Sequence, residues 1–324
     1  MGSSIVSVVI PTRNRPELVK RAVHSALAQT LEKIEVCVVI DGPDPETFSE
    51  LSKCSDSRLR VIQLASNKGG AGARNEGISK SQSEWIAFLD DDDEWLPQKL
   101  ECQLEAATAS QYQWPIITSF VTARTPKGEF TYPRRLPRHS EDLSEYLLAR
   151  NTLSYGEGLI QTSTILTKRE LLLTVPFREE LPKHQDWDWI LHVHSLEGVA
   201  VEFVPEALAV WHLWEQRAST SGNSNWENSL DWIQQNQHLI TPRAYAAFVL
   251  VEVGSQAAHT RRWAAFWQLL LEAFRLGKPK PIDLFVFMGM WIVPQELRRS
   301  MKSLQSKAAQ KLSHLPSLKA DATG

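Results

Sequence analysis

The sequence predicts an α/β fold, with a doubly wound, mixed but mostly parallel sheet and a helical C-terminal extension. Three observations lead to this prediction. Short β-branched runs alternate with helical patterns in the first third of the 324-residue chain, most of these runs end in turn-forming or acidic residues, and helical patterns dominate after residue 225. Strands that alternate with helices are typical of parallel βαβ units with right-handed crossovers.

Four strands are expected in the first 90 residues, at positions 7–10, 34–40, 59–64 and 84–89. Apolar residues at i, i+3, i+4 and i+7 spacing, beginning at Val19, predict an amphipathic helix after the first strand. Another helix is expected after the fourth strand, with Pro97 in its first turn and its end near Ser110.

The middle of the chain has a weaker pattern. Proline and arginine are frequent over residues 125–155, which predicts an exposed excursion of the kind that often meets an enzyme's second substrate. Strands are expected again at 159–166 and 200–204, and a helix opens within 183–189 between them.

A polar segment of small residues at 219–225 marks the expected division of the chain. We predict one domain over residues 1–222 and a helical region over 223–324. The last helix, from about Gln295, places apolar residues on one face and basic residues mainly on the others. Such a helix can lie on an anionic membrane surface. The alternative is that it packs on its own protein and leaves its charged face in solvent.

Composition narrows the class of protein. A formal net charge of −3 gives no overall basic field, so nucleic acid is not an expected partner. Three scattered cysteines predict free thiols in a reducing compartment. No leader pattern is visible, and the longest apolar run is too short to span a bilayer. A cytoplasmic protein is expected, with peripheral contact at the inner face of the plasma membrane as a possibility.

Four consecutive aspartates, residues 90–93, directly follow the apolar run of the fourth predicted strand. A buried strand would deliver these carboxylates to the carboxyl edge of the sheet, where open α/β sheets bind ligands. Oxygen ligands suit a hard divalent cation such as Mg²⁺ or Mn²⁺, and through it a diphosphate. The alternative is a solvated acidic turn that caps the following helix.

Four motifs occur in order along the chain, at residues 8–14, 41–42, 67–75 and 88–93. Together they resemble the inverting family 2 glycosyltransferases, which have the GT-A fold, and the resemblance extends over about residues 5–215. It implies a metal-dependent transfer of one sugar from a UDP-, GDP- or dTDP-sugar to a hydroxyl acceptor such as a glycan or a lipid-linked glycan. The first predicted domain would then be the GT-A domain.

The resemblance assigns donor-binding roles to strand-end residues. The turn of Pro11, Thr12 and Arg13 would offer backbone groups to the base, and Asp41 would contact the base or ribose. Arg74 would bind a phosphate or base oxygen, because its guanidinium is a fixed fork of donors. The alternatives are an Asx-type turn for Asp41 and a surface helix charge for Arg74.

In the aspartate run, the family's Asp-x-Asp pattern falls on Asp90 and Asp92. The resemblance implies that Asp92 binds Mn²⁺ or Mg²⁺ directly, and that Asp90 contacts the ribose or reaches the metal through water. Asp91, at the variable position, is grouped with the donor-binding residues because the assignment can shift by one place. A late histidine completes the metal site in some relatives, and His212 is either such a ligand or an ordinary core or surface histidine.

Asp186 matches the family's catalytic base, which deprotonates the acceptor hydroxyl. Asp188 is the next candidate, and Asp186 could instead be an N-cap or first-turn residue of the following helix. Gln185 stands where the family usually has glutamate. Residues 217–221 resemble a mobile loop over the diphosphate, and the Gln-x-x-Arg-Trp motif of processive synthases is absent from the sequence, which favours single additions.

Two other classes of protein compete with a glycosyltransferase. One is a GT-A module that binds a nucleotide sugar without catalysis. The glutamine at position 185 favours this class, whereas the complete run of four aspartates argues against it. The other is a sugar nucleotidyltransferase, which shares the sheet and the metal. That class would carry a glycine-rich signature with a downstream lysine after the first strand, and residues 11–16 do not supply it.

Overall fold

The computed structural model describes residues 4–126, 128–213, 225–260 and 262–293. Within them, nine strands form one mixed sheet. The strands are β1 Val6–Thr12, β2 Ile34–Ile40, β3 Leu59–Gln63, β4 Trp85–Phe88, β5 Asp93–Trp95, β6 Trp114–Thr125, β7 Gly128–Tyr132, β8 Leu166–Lys168 and β9 Val199–His212. Neighbouring strands follow the order β3-β2-β1-β4-β8-β6-β9-β5, and β7 pairs with β6.

Helices cover both faces of this sheet and form the C-terminal region. The α-helices are α1 Pro16–Leu27, α2 Pro45–Leu51, α3 Gly69–Lys80, α4 Lys99–Ala109, α5 Leu143–Leu148, α6 Arg169–Thr174, α7 Gln185–His194, α8 Trp226–Gln235, α9 Pro242–Ala247, α10 Gly254–Thr260, α11 Trp263–Leu276 and α12 Pro281–Ile292. A π-helical segment, Phe248–Val253, joins α9 to α10.

Side-chain alternation in β1 explains why the sheet has a helix layer on each face. Val8 and Ile10 pack in the same core as Val19 of α1, whereas Val9 packs in the opposite core with Ile78 of α3. Successive side chains of a strand point to opposite faces, so a continuous apolar run requires cover on both. The doubly wound arrangement and the mixed sheet predicted from the sequence are confirmed.

The parallel strands β2, β1 and β4 lie side by side, so their carboxyl ends open at one edge. The Asp41 N–H donates to the Thr12 carbonyl at 2.9 Å, which joins the ends of β2 and β1. Residues 90–93 follow β4 after a single residue. The sequence motifs that end these strands therefore converge.

The expected strand at 159–166 is wrong for most of its length. Thr162–Thr164 forms a 3₁₀ turn, and strand pairing begins only at Leu166. One local hydrogen bond contributes to the difference: Thr164 Oγ1 donates to the carbonyl of Gln161 at 2.7 Å. Short hydroxyl side chains often compete with a sheet ladder in this way.

The 125–155 stretch, expected as an exposed excursion, contains β7 and α5. β7 forms an antiparallel hairpin with β6, and Tyr146 of α5 is fully buried. Part of this stretch is therefore core, while Leu153 and Tyr155 are exposed.

Helices α8 to α12 confirm the helical C-terminal region. Tyr245, Phe248 and Phe287 are buried here in a core that also contains Trp189 of α7. Among the described residues, no helix is both long enough and apolar enough to cross a membrane. The division expected at residues 222 and 223 and the helix expected from Gln295 lie outside the described residues.

A buried ion pair fixes α12 against α9. Arg243 donates to both carboxylate oxygens of Asp283, at 2.6 and 3.1 Å, and also to the carbonyl of Arg150 at 2.8 Å. Asp283 is fully buried and accepts the Lys280 N–H at 2.8 Å at the start of α12. Loss of one partner would leave the opposite charge buried and uncompensated.

We expect Asp283→Ala to lower the free energy of unfolding by about 3–5 kcal/mol, because the Arg243 guanidinium would lose its carboxylate. Urea denaturation measures the difference. Asp231→Ala, which removes an exposed carboxylate from α8, is the matched control and should change stability by less than about 0.5 kcal/mol. Equal effects of the two substitutions would show that the ion pair contributes nothing specific.

Candidate active site

The four carboxylates of residues 90–93 alternate in exposure. The side chains of Asp90 and Asp92 are 29% and 16% exposed, whereas Asp91 and Asp93 are buried. The alternation singles out the two positions that the Asp-x-Asp pattern assigns to donor and metal. The side chains of Asp90 and Asp92 are therefore partly open to solvent, and those of Asp91 and Asp93 are turned inward.

Asp91 binds the end of β1 and the loop that follows it. Thr12 Oγ1 donates to Asp91 Oδ2 at 2.8 Å, and Arg15 Nη1 donates to Asp91 Oδ1 at 2.9 Å. Burial raises the pKa of the Asp91 carboxyl, against the opposing effect of Arg15 and Thr12. Both oxygens have protein partners, so Asp91 orders the loop more directly than it faces a donor.

Asp92 shares Arg15 with its neighbour, since Arg15 Nη1 lies 3.3 Å from Asp92 Oδ2. Its backbone carbonyl accepts Arg21 Nη2 at 2.9 Å. Arg21 Nε also lies 3.4 Å from Glu94 Oε1, and Glu94 is 2.6 Å from Nε2 of the buried His212. The structure therefore places His212 against Glu94, two residues beyond Asp92.

Asp90 faces α3 and α7. Arg74 Nη2 donates to Asp90 Oδ1 at 2.6 Å, and Arg74 Nη1 donates to Gln185 Oε1 at 3.1 Å. Gly70 makes room for this guanidinium, because a Cβ at that position would lie 3.2 Å from Arg74 Nη1. Arg74 therefore joins the acidic run to the first residue of α7.

Asp93 is held by the 3₁₀ turn that replaces the expected strand. Its Oδ2 accepts hydrogen bonds from Ser163 Oγ and Gln161 Nε2, each at 2.6 Å. Ser163 Oγ in turn accepts the Asp90 N–H at 3.0 Å. One buried serine therefore sets the position of Asp90 relative to Asp93.

Asp186 lies in the first turn of α7, close to the 3₁₀ turn Thr162–Thr164. Its Oδ1 accepts the Trp187 N–H at 2.9 Å, and its Oδ2 accepts Thr162 Oγ1 at 3.4 Å. Burial raises the pKa of the Asp186 carboxyl, the charge of Asp90 adds to the increase, and Arg74 opposes it. Asp186 is thus electrostatically coupled to the ion pair at the end of β4.

Asp188 points to the other side of α7 and is buried. Its Oδ1 accepts Trp232 Nε1 at 2.8 Å, Asn236 Nδ2 at 3.3 Å and Arg178 Nη1 at 3.2 Å. Trp232 belongs to α8 and Asn236 follows it directly, so the Asp188 carboxylate anchors α7 to α8. Asp186 and Asp188 therefore have different surroundings although only one residue separates them.

His184 also holds the start of α7 against α8. It has a left-handed backbone with φ of 64° and donates to or accepts from Ser229 Oγ at 2.9 Å. Its ring stacks on Trp187 and packs against Trp232 and Phe248. Burial lowers the pKa of His184 to about 3, so the ring is neutral near pH 7.

The remaining strand-end residues differ in their contacts. Asp41 is buried, and its oxygens accept the N–H groups of Lys68 and Gly69 at 2.6 and 2.9 Å. It therefore anchors the start of α3 beside the β1 end, and no Asx-type bond to Gly42 accounts for it. Arg13 is exposed and Pro11 is half-buried at the same edge.

The residues present fit a small divalent cation that takes ligands from its substrate. Asp90 and Asp92 are the exposed carboxylates of the run, and oxygen is the ligand that Mg²⁺ and Mn²⁺ prefer. The described residues contain no group of three or more His, Cys, Asp or Glu arranged to hold a metal. One or two carboxylates plus phosphate and water is the usual coordination of Mg²⁺ with nucleotides.

Sequence reasoning missed several residues of this cluster. Arg15 was not singled out, although a second arginine two residues past Arg13 at a strand end was a usable signal. Gln161, Thr162 and Ser163 were hidden because their segment was interpreted as a strand. The loop residues 217–221 lie outside the part of the chain that the structure describes.

Comparisons with known proteins show the family of this chain. The family model described as "Glycosyl transferase family 2" matches residues 7–172, half of the chain. The chain therefore belongs to glycosyl transferase family 2. Membership confirms the resemblance inferred from the strand-end motifs and places the protein in the glycosyltransferase class of enzymes.

Two sequence relatives differ in how much they share. The amylovoran biosynthesis glycosyltransferase AmsB of Erwinia amylovora is 29% identical over 256 residues, which are 75% of this chain and 82% of AmsB. The Escherichia coli UDP-Glc:alpha-D-GlcNAc-diphosphoundecaprenol beta-1,3-glucosyltransferase WfgD is 35% identical over 104 residues. That match covers 32% of this chain and only 41% of WfgD.

The fold also has a counterpart among solved structures. S. aureus TarS 1–349 in complex with UDP-GlcNAc superposes with a TM-score of 0.51 at 18% identity. The match covers 83% of this chain and 71% of that one. The GT-A fold class expected from the sequence is thereby confirmed.

We expect Ser163→Ala to lower both stability and turnover. Loss of the hydroxyl leaves the Asp90 N–H and the Asp93 carboxylate short of a partner, at a cost of about 1–3 kcal/mol in unfolding free energy. Turnover should fall because Asp90 is no longer held in place. Denaturation and initial rates measure the two effects, and Ser52→Ala, an exposed helix-end hydroxyl, is the control. Unchanged turnover would show that the turn does not position Asp90.

Proposed function

We propose that this protein is a metal-dependent, inverting glycosyltransferase that moves one sugar from a nucleoside-diphosphate sugar to a hydroxyl acceptor. The observation that carries the proposal is the meeting of three distant parts of the chain. Arg74 contacts both Asp90 and Gln185, and Asp186 is the next residue of α7. A diphosphate bound near Asp90 and an acceptor hydroxyl bound near Asp186 would therefore lie close together.

A UDP-sugar is the proposed donor. The name of WfgD gives UDP-Glc, and the matched TarS structure holds UDP-GlcNAc. We assign the base and ribose to the edge formed by Pro11, Thr12, Arg13 and Asp41, with Asp91 holding that edge in place. GDP- and dTDP-sugars are the alternatives that an experiment must separate.

Asp92 is the proposed ligand of Mn²⁺ or Mg²⁺, with Asp90 reaching the ribose or the metal through water. When bound, the cation would neutralise the negative charge of the diphosphate leaving group. Arg15 and Arg74 lie beside these carboxylates at 3.3 and 2.6 Å. Their guanidinium groups can bind phosphate oxygens in pairs, which suits a diphosphate at the same place.

Asp186 is the proposed base. Inversion requires the acceptor hydroxyl to attack from the side opposite the diphosphate and to give up its proton, which a carboxylate within hydrogen-bond reach can accept. A pKa raised by burial makes the Asp186 carboxylate a stronger proton acceptor than an exposed aspartate. The Trp187 N–H and the Thr162 hydroxyl hold its two oxygens in a fixed orientation.

The contacts of Gln185 support catalysis over a module that only binds donor. Gln185 Oε1 accepts from Arg74, and its Nε2 donates to the carbonyl of Leu181 at 2.7 Å. The amide therefore keeps α7 joined to the donor side although it carries no charge. Asp188 is the weaker candidate base, because its carboxylate is occupied by donors from α8.

A glycan or lipid-linked glycan is the proposed acceptor. AmsB is named for the biosynthesis of amylovoran, and the acceptor in the name of WfgD is a diphosphoundecaprenol-linked sugar. The cytoplasmic location expected from the sequence stays a prediction, as does the membrane contact of the helix expected from Gln295.

A screen of UDP-, GDP- and dTDP-sugars with and without Mn²⁺ tests the proposal directly. We expect a UDP-sugar to raise the melting temperature only when Mn²⁺ is present, and to be hydrolysed slowly. Asp92→Ala should abolish the metal-dependent shift, whereas Asp231→Ala should keep it. No response to any sugar nucleotide would sink the enzyme proposal, and a full metal response in Asp92→Ala would refute the ligand assignment.

Asp186→Asn should reduce transfer by about 10²- to 10⁴-fold while donor binding persists, because the base is lost and the phosphate contacts are not. In the unmutated protein, kcat/KM should rise with pH through the raised pKa of Asp186, since the base acts when ionised. Measurement of kcat/KM against pH checks this. The rise on the acid side should be centred at a pH above about 3.9, the pKa of a free aspartate.

Asp188→Asn is the comparison for that experiment. It should lower the free energy of unfolding, because Asp188 joins α7 to α8, and leave the acid limb of the rate profile where it was. If Asp186→Asn transfers sugar at full rate while Asp188→Asn does not, the base must be reassigned to Asp188.

A further inference from the structure

Helices α11 and α12 carry a row of large apolar side chains in solvent. Seven of them are between 42% and 68% exposed. We call this set the α11–α12 face: Trp263, Trp267, Leu271, Phe274, Phe285, Met288 and Ile292. The spacing of three and four residues along each helix places the members in one stripe per helix.

The two stripes are joined into one surface. Trp263, at the start of α11, lies 5.7 Å from Trp291 near the end of α12, measured between ring centroids. Beneath them, Phe266 stacks on Phe287 at 4.9 Å and meets Trp291 at 5.5 Å. The helices therefore run antiparallel with their aromatic side chains in contact. Contiguous exposed apolar patches of this kind mark a surface that binds a partner or a membrane.

The net charge of α11, α12 and the turn between them is positive. Arg275, Lys278 and Lys280 are exposed at the turn between the two helices. Of the two carboxylates in 262–293, Asp283 is fully buried against Arg243, and Glu272 accepts hydrogen bonds from Tyr245 and Gln234. Arg275, Lys278 and Lys280 outnumber the half-buried Glu272, so the net charge that α11, α12 and their turn offer to a partner is positive.

We propose that the α11–α12 face docks on the surface of an anionic lipid bilayer. Interfacial helices place Trp, Phe and Leu among the acyl chains near the headgroups and keep Lys and Arg at the phosphate level. The face supplies the first set, and the turn with Arg275, Lys278 and Lys280 supplies the second. Helices of 14 and 12 residues are too short to cross a bilayer and suit a position along its surface.

Charge disfavours two other partners for this face, a second copy of the chain and the chain's own residues 294–324. A second copy of the chain would bring the same exposed cations toward this face. The chain's own residues 294–324 contain six Lys and Arg against two Asp and Glu, so they too add positive charge. An anionic membrane supplies the opposite sign and attracts each basic residue near its surface.

Vesicle flotation of the full chain tests the proposal without any donor or acceptor, so its outcome is separate from that of the proposed transferase activity. We expect the protein to float with phosphatidylcholine vesicles containing phosphatidylglycerol and much less with phosphatidylcholine alone. The double variant Trp267→Asp, Phe285→Asp should reduce the bound fraction about tenfold or more, because both side chains would leave the acyl region.

The matched control is Phe48→Asp, Leu173→Asp, which places the same charges on exposed apolar positions of α2 and α6. It should float like the unmutated chain. A second variant, Arg275→Glu, Lys278→Glu, keeps the apolar face and should weaken flotation about tenfold or more through charge alone. It keeps the test decisive if the first variant proves unstable.

Flotation that is unchanged in both double variants overturns the proposal, because parts of the chain outside the α11–α12 face and its basic turn would then bind the membrane. Absence of flotation with the unmutated chain overturns it as well. Sedimentation velocity tests whether the face instead binds a second copy of the chain. A dimer that dissociates in Trp267→Asp, Phe285→Asp, without vesicle binding, would assign the face to a second copy.

Discussion

The site depends on the mutual repulsion of four adjacent carboxylates at the end of a buried strand. Two such charges about 4 Å apart repel by about 4 kcal/mol at an effective dielectric constant of about 20. Arg74 of α3 and Arg15 after β1 offset the charge of Asp90, Asp91 and Asp92. Burial and the charges of Asp90 and Asp92 raise the pKa of Asp93, whose carboxyl is held by Ser163 of the 3₁₀ turn. The acidic run therefore fixes the ends of these elements relative to β4, and the remaining strand-end contacts follow from that arrangement.

The same partners connect the two sides of the proposed reaction. Arg74 reaches from Asp90 to Gln185, and the 3₁₀ turn holds Asp90 through Ser163 while Thr162 contacts Asp186. Side-chain contacts alone therefore connect Asp90 with the segment that carries the proposed base.

Local patterns in the sequence were sufficient for the parts of the fold that depend on local periodicity. Continuous apolar runs such as 36–40 predicted the parallel strands, because a strand buried on both faces has few alternatives. The turn at 161–164 could not be predicted in this way, since its hydroxyl groups bond to Asp93 and Asp186, which are distant in sequence. Arg15 was missed for the same reason, because its role exists only once β1 lies beside β4.

The anchoring of α7 has a consequence for the order in which the protein becomes competent. His184 and Asp188 hold α7 through Ser229, Trp232 and other groups of α8, about forty residues further along the chain. Domains form from the N-terminal side during synthesis. On a ribosome, the sheet up to the end of β9 would be made while α7, which carries the proposed base, still lacked the contacts that hold it. A chain that ends before α8 should therefore keep its sheet but lose the fixed position of Asp186.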